Sequence, residues 1–193
     1  HPDKDRLEVA AYDAMSIRPG SSVSREGLKL DLDSIYATGW FSGVRLQPIE
    51  GPLGVRLIVE VEPNPVLTKV ELEPSEAKIP LKAIKRIFKS DFGRTLNLNT
   101  LQLRMKSMKS WYNKKGYSLA RISGPNRITS KGIVKLNIIE GKVVGLNITF
   151  LSKDSDEKKN ENKNKLIKGK TKKWVIEREI SIKPGDVFNR KKL

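Results

Sequence analysis

The sequence predicts an α+β protein built from tandem βααββ units, each with two helices packed on a three-stranded mixed sheet. A glycine-centred motif recurs three times with the same internal spacing. After it, a helix-period stripe is followed by segments that alternate apolar and polar residues, in the same order each time. We place the units at residues 1–63, 64–141 and 142–193.

The recurring motif marks the connection between the two helices of each unit. We interpret its glycine as the left-handed residue that ends the first helix, and the Ser or Asn that follows as the N-cap of the second. The final leucine then begins the buried stripe of that second helix. The copies are Met15-x4-Gly20-x2-Val23-Ser24-x3-Leu28, Phe88-x4-Gly93-x2-Leu96-Asn97-x3-Leu101 and Ile180-x4-Gly185-x2-Phe188-Asn189-x3-Leu193.

The second helix of a unit carries an amphipathic stripe and stops at a glycine followed by an aromatic residue. The stops are Gly39-Trp40 and Gly116-Tyr117. We expect Trp111 and Tyr112, and also Trp174 at the start of the third unit's helix, to pack in the core. The stripes are Leu28, Leu32, Ile35 and Tyr36 in the first unit, and Leu101, Met105, Met108, Trp111 and Tyr112 in the second.

Alternating residues predict the strands. Two strands follow each helix pair, over 42–47 and 55–61 in the first unit and over 118–123 and 134–138 in the second. We expect the first unit's opening strand and the last elements of the third unit to lie outside this chain, as in a fragment of a longer protein. The opening strands carry Val66, Thr68, Val70 and Leu72 in the second unit, and Val144, Leu146, Ile148 and Phe150 in the third.

Composition argues against catalysis. The chain has no cysteine, and its single histidine is His1. Disulfides and thiolate chemistry are therefore excluded, and a histidine base or histidine-ligated metal is not expected. Asp31 and Asp33 are paired carboxylates, but we expect them on an exposed helix face without converging ligands. We predict no enzyme activity, no cofactor and no metal.

The net charge of +16 is unevenly distributed. Residues 1–77 hold 8 basic and 13 acidic residues, whereas residues 78–115 hold 11 basic residues and one acid. Four basic residues, Lys82, Lys85, Arg86 and Lys89, share one helix face, which is either a solvated surface or a contact for anionic lipid headgroups. Residues 152–173 form a lysine-rich stretch without apolar periodicity, predicted to be a mobile insertion in the third unit.

The order of elements, the Gly-aromatic exit and the Glu-Pro link between units resemble POTRA (polypeptide-transport-associated) domains. These are the soluble repeats in front of the barrel in the outer-membrane barrel assembly and protein translocation pore superfamily. Four segments are similar to its cyanobacterial and plastid branch. They are Ile35-Tyr36-Ala37-Thr38-Gly39-Trp40-Phe41-Ser42-Gly43-Val44, Pro52-Leu53-Gly54-Val55, Val59-Glu60-Val61-Glu62-Pro63-Asn64-Pro65-Val66-Leu67 and Lys183-Pro184-Gly185-Asp186-Val187-Phe188-Asn189-Arg190.

The resemblance implies a polypeptide-binding arm on the periplasmic side of an outer membrane, or on the equivalent face of the plastid outer envelope. Unfolded or precursor proteins would add a strand to an exposed sheet edge. Its partners would be these clients, its own C-terminal membrane barrel and accessory subunits. Trp40 and Phe41 are possible client anchors, although core packing is the favoured interpretation. The expected edge-strand residues are Ser42, Val44, Leu46, Ser118, Ala120 and Ile122.

The sequence is compatible with two other functions. A basic βααβ unit is comparable to a KH domain that binds nucleic acid, but a KH domain needs Gly-x-x-Gly between its helices. The tetrad Gly51-Pro52-Leu53-Gly54 is predicted between strands instead. The other alternative is a POTRA scaffold of a divisome or secretion partner, without a barrel.

Overall fold

The computed structural model describes residues 3–52, 54–125, 128–149 and 172–192. The chain divides into two compact bodies, residues 1–111 with 122–138 and residues 112–121 with 139–193. A short 3-10 turn, Arg190–Lys192, follows the last helix. The described elements are α1 (Lys4–Ala14), α2 (Arg25–Ala37), β1 (Phe41–Gly51), β2 (Gly54–Pro63), β3 (Lys69–Glu73), α3 (Leu81–Ile87), α4 (Leu98–Lys114), β4 (Arg121–Ser123), β5 (Ile133–Ile139) and α5 (Lys173–Glu179).

The first unit packs α1 and α2 on the hairpin of β1 and β2. The two strands are antiparallel, with Val44 opposite Val61 and Leu46 opposite Val59. Ser24 caps α2 as predicted, because its hydroxyl accepts a hydrogen bond from the Gly27 N–H at 3.0 Å. The core of this unit is formed by Leu7, Ala11, Met15, Ile35 and Phe41, with half-buried hairpin residues packed against it.

The second unit is a three-stranded sheet in the order β3-β5-β4, accompanied by α3 and α4. Strand β3 runs parallel to β5, with Val70 opposite Val134 and Leu72 opposite Leu136. A parallel pair needs a crossover, and the helix pair between these strands supplies it. The predicted α+β architecture with two helices on three strands is confirmed here.

Two predictions for the third unit are wrong. Residues 144–149 lie outside any strand, and Val144 is 97% exposed. In the second unit the opening strand pairs with the last strand, and no strand follows residue 149 in the described part of the chain. Trp174 is 57% exposed, with the Arg178 guanidinium 5.9 Å from its ring centroid, so it is not a core residue. Phe150 and residues 152–171 of the predicted insertion lie outside the described residues.

The prediction that Asp31 is exposed is also wrong, whereas Asp33 does lie at the surface. Asp31 is 1% exposed and fastens the loop after α1 to α2. Its carboxylate accepts hydrogen bonds from the Ser16 N–H at 2.7 Å, the Ser16 hydroxyl at 2.6 Å and the Ile17 N–H at 3.0 Å. Burial alone would raise the pKa of Asp31, but these hydrogen bonds and the charge of Arg18 leave that pKa below its usual value.

Asp31→Asn should destabilise the chain by about 2–4 kcal/mol at pH 7, because the amide NH2 replaces one carboxylate oxygen and turns its donor hydrogens toward the backbone N–H of either Ser16 or Ile17. The lowered pKa means that the Asp31 contribution is complete above the unfolded value of about 4 and is lost as the pH falls through the folded value. In urea unfolding followed by circular dichroism, the gap between wild type and variant should therefore shrink in acid. Asp33→Asn, the exposed control, should change the free energy of unfolding by less than about 0.5 kcal/mol. Equal effects of the two substitutions would contradict this account.

Candidate functional site

Strand β1 has a side that faces away from β2, and two of the three main-chain positions on that side from residue 44 to 48 offer no free donor. The Val44 N–H donates to the Tyr36 hydroxyl at 3.1 Å, so this N–H points away from β2. Main-chain groups alternate along an antiparallel strand, which turns Leu46 and Pro48 to the same side as Val44. Pro48 has no N–H to offer. Leu46 therefore supplies the remaining donor between residues 44 and 48 on this side.

The side chains around this edge are also engaged. The Ser42 hydroxyl donates to the Glu62 carbonyl at 3.2 Å, and Val44 and Leu46 are half-buried against the core. A cleft of about 290 Å³ lies over the strand beside Tyr36. The structure thus places the predicted Ser42, Val44 and Leu46 on one strand. It also shows that the Tyr36 hydroxyl occupies a main-chain donor of this strand, whereas helical periodicity predicted Tyr36 only as part of the α2 stripe.

The two predicted client anchors differ in accessibility. Phe41 is 2% exposed and belongs to the core, which is the interpretation that the sequence favoured over a client anchor. Trp40 is half-buried, and the Arg6 guanidinium lies 4.4 Å from its ring centroid. This cation–π contact covers a face that a client side chain would need.

The edge predicted at 118–123 is shorter than expected. Strand β4 comprises residues 121–123 at the edge of its sheet and includes Ile122. Ser118 lies in a turn, and Ala120 is buried. The Ala120 N–H donates to the Tyr117 carbonyl, so this segment turns the chain after α4 instead of extending along the sheet.

The basic helix face divides into two parts. Lys82, Lys85, Arg86 and Lys89 are all exposed. Lys85 and Lys89 border an apolar groove of about 560 Å³ between α3 and β3, whereas Lys82 and Arg86 are not among its lining residues. Helical spacing predicted that the four residues share one face. It could not separate them into two pairs, because the spacing does not show where β3 lies relative to α3.

A joint between consecutive units is the functional feature that the sequence did not reveal. Asn97 caps α4 as predicted, since its Oδ1 accepts from the Thr100 N–H at 2.9 Å. Its amide also donates to the Thr38 carbonyl at 2.8 Å, in the exit of the previous unit's helix. The Leu98 N–H donates to the Gly39 carbonyl at 2.8 Å. One asparagine thus begins its own helix and satisfies a carbonyl group at the end of the preceding one.

Further contacts strengthen this joint. Buried Asn64 donates to the carbonyls of Gly39 at 2.9 Å and Leu96 at 3.0 Å. The Asp3 carboxylate accepts from the Thr95 hydroxyl at 2.6 Å and from the Thr95 N–H at 3.0 Å. Chiefly through the hydroxyl hydrogen bond, Thr95 lowers the pKa of Asp3. The first unit and the start of α4 are therefore connected by several hydrogen bonds.

The second body contains the same joint. Asn189 donates to the Lys115 carbonyl at 3.1 Å and accepts from the Lys191 N–H at 3.0 Å, and the Arg190 N–H donates to the Gly116 carbonyl at 3.0 Å. Gly116 has φ +95°, and a Cβ there would collide with the Asn189 side chain. The Gly-aromatic signature is thus explained by a left-handed exit that admits the asparagine of the next unit.

Residues 66–141 match the family model of the POTRA domain, ShlB-type. The chain is similar to the N-terminal domain of Omp85 from Thermosynechococcus elongatus, with 34% identity and a TM-score of 0.79 over 97% of this chain and 75% of that one. POTRA1-3 of the periplasmic domain of Omp85 from Anabaena shares 35% identity and a TM-score of 0.79 over 97% and 74%. A tandem with this fold and these joints is a POTRA array. The chain belongs to the POTRA-domain family, as predicted, and is homologous to these cyanobacterial Omp85 domains.

Two curated plant proteins are also similar. Outer envelope protein 80, chloroplastic, of Oryza sativa and of Arabidopsis thaliana are each 28% identical to 97% of this chain. The chain spans 27% and 24% of their respective lengths. Among the described helices, none has the length and apolar character required to cross a membrane. The described residues also contain no cluster of three or more side chains suited to hold a metal ion.

Asn97→Asp should separate the two roles of the joint residue. Aspartate keeps the capping oxygen but cannot donate to the Thr38 carbonyl, so we expect a loss of about 1–3 kcal/mol in urea unfolding with unchanged helical circular dichroism. Asn97→Ala should lose the cap as well and cost about 1 kcal/mol more. Asn137→Asp, at an exposed asparagine on β5, is the matched control. Wild-type stability of Asn97→Asp would show that the hydrogen bond from Asn97 to the Thr38 carbonyl contributes nothing.

Proposed function

We propose that this chain is a non-catalytic, polypeptide-binding arm on the periplasmic side of an outer-membrane barrel pore. It receives unfolded or precursor proteins by strand addition, for insertion into the membrane or passage across it. The observation that supports the proposal is a tandem of small sheets that each end in edge strands, held in sequence by repeated joints, in a chain homologous to the periplasmic domain of Omp85. Main-chain hydrogen bonds at an edge tolerate many client sequences.

The relatives support the proposed location and partners. One is a periplasmic domain of a cyanobacterial protein, and others are chloroplastic outer envelope proteins. We place the arm in the periplasm of a cyanobacterium-like cell or at the equivalent face of the plastid outer envelope. Its partners are client polypeptides, a membrane barrel in the same polypeptide and accessory subunits of the assembly or import complex.

The proposal is tested with a permanently unfolded protein, prepared by reduction and alkylation, and with its folded form. Immobilised chain should retain the unfolded probe and not the folded one, because the folded form has no free strand to add. Absence of binding to the unfolded probe would overturn the proposed function. A salt-sensitive complex with RNA in its place would favour the nucleic-acid alternative.

If clients add to β1, Tyr36→Phe should strengthen binding of the unfolded probe. The substitution removes the hydroxyl that occupies the Val44 N–H and leaves that donor for a client. One regained hydrogen bond corresponds to about a two- to tenfold lower Kd. Tyr12→Phe is the control, because Tyr12 is an exposed tyrosine on α1 of the same unit. An unchanged Kd for Tyr36→Phe, with the probe still bound, would exclude β1 as the docking edge.

A further inference from the structure

A recess of about 220 Å³ lies at the joint between the first and second units, within one compact body. The first unit contributes Arg6 and Trp40 to its lining. The second unit contributes mainly the connection between α3 and α4 and the first two turns of α4. None of the described lining residues belongs to a strand, so the recess involves none of the sheet edges considered above.

The inner lining of the recess is apolar. Leu67, Phe88 and Leu101 are among its lining residues, and all three are almost completely buried. A cavity of about 150 Å³ lined by apolar side chains admits benzene, so a space of about 220 Å³ can hold a six-membered ring with a small substituent. Because such a lining gains from the removal of apolar surface from water, it favours an organic body over a bare inorganic ion.

Two arginines of the second unit border the recess. Arg104 donates to the Asp91 carboxylate through Nε at 2.6 Å and through Nη2 at 3.0 Å, so its charge is compensated. Arg94 is exposed, and its side chain makes no hydrogen bond or ion pair with the described residues. The Arg94 guanidinium is therefore available to an anion that enters the recess.

The third arginine comes from the first unit and also has an acidic neighbour. The Arg6 guanidinium lies 4.4 Å from the Trp40 ring centroid, and its Nη2 lies 3.6 Å from the Asp3 carboxylate. Among the lining residues and Asp3, three guanidinium groups and two carboxylates leave a net charge of +1. This charge corresponds to Arg94, which acts on Asp3 electrostatically without forming an ion pair with it.

A net charge of +1 matches a carboxylate better than a phosphate group. A carboxylate carries a single negative charge at pH 7, whereas a phosphate monoester carries about −1.5 to −2. A carboxylate is also planar, so both of its oxygens can accept hydrogen bonds from one guanidinium. The apolar inner lining then accommodates the organic body that bears the carboxylate.

We propose that this recess binds a small organic carboxylate with an apolar body of about the size of one ring. The body packs against Leu67, Phe88 and Leu101, and the carboxylate accepts hydrogen bonds from the Arg94 guanidinium. A ligand that fills the recess touches residues of both units and so strengthens the joint between them. The site is additional to the proposed polypeptide-binding function and does not depend on it.

The test titrates the whole chain with 3-phenylpropionate and, as the neutral control, with its amide. Isothermal titration calorimetry should detect the acid and show binding of the amide at least about tenfold weaker, because the amide lacks the charge that pairs with Arg94. Acetate presents the same carboxylate without the ring and should also bind at least about tenfold more weakly, because it leaves the apolar lining uncovered.

A matched pair of arginine variants locates the charge. Arg94→Gln should raise the Kd of 3-phenylpropionate about tenfold, because it removes the uncompensated guanidinium at the border of the recess. Arg86→Gln makes the same substitution at an exposed arginine of α3 that is not among the lining residues, and it should change the Kd less than about twofold. Circular dichroism of both variants verifies that they are folded.

Nuclear magnetic resonance assigns the contact to the two units. Binding of the acid should shift the indole N–H of Trp40 in the first unit and the backbone N–H of Thr100 in the second, because both residues line the recess. Shifts confined to the second unit would reject the contact across the joint.

Four further results would overturn the proposal. Absence of binding up to about 10 mM 3-phenylpropionate would reject the site. Equal affinity for the acid and the amide would indicate an apolar recess that does not select an anion. Inorganic phosphate or acetate bound as tightly as the acid would indicate an anion site without a place for the ring. Equal loss of binding in Arg94→Gln and Arg86→Gln would indicate a diffuse effect of charge.

Discussion

The carbonyl groups at the end of each unit's second helix impose the constraint on which this array depends. Such groups have no partner inside their own helix and must be satisfied from elsewhere. Here the next unit supplies the donors, through Asn97 and the backbone of residue 98 in one joint and through Asn189 and the backbone of residue 190 in the other. Because the helix-end carbonyls need donors and the next unit supplies them, these hydrogen bonds connect consecutive units.

The edges of the sheets are treated differently in the two units that carry them. In the first, Tyr36 and Pro48 reduce the number of donors on β1, which is the usual protection of an edge against uncontrolled pairing. In the second, β3 is left open beside an apolar groove with basic borders. The two units therefore differ at their sheet edges, because a few side chains and the number of strands differ between them.

Local signals in the sequence predicted the order of elements well. The caps at Ser24 and Asn97, the stripe of α4 and the alternation in β5 depend on neighbours within a few residues, so they can be recognised from spacing. Asp31 could not be placed in this way, because its burial depends on a loop that returns from Ser16. Likewise, the amide of Asn97 donates to a carbonyl of the previous unit. No local pattern distinguishes a capping asparagine that also binds the previous unit from one that only caps its own helix. The edge at 118–120 was predicted wrongly because alternation is also compatible with a turn that buries Ala120.

The two halves of the joint have a consequence for how such arrays grow. At the start of its second helix, the second unit has Asn97, which donates to the unit before it. At the end of the same helix, the carbonyls of Lys115 and of the left-handed Gly116 accept hydrogen bonds from the unit after it. A copy of this unit therefore carries both the donor and the acceptor side of the joint. Duplication of the unit can therefore lengthen the array with the same interface. A substitution at Gly116 alone, or at Asn189 alone, would disrupt the contact between these two residues. We therefore expect the residues at positions such as 116 and 189 to vary together among related arrays.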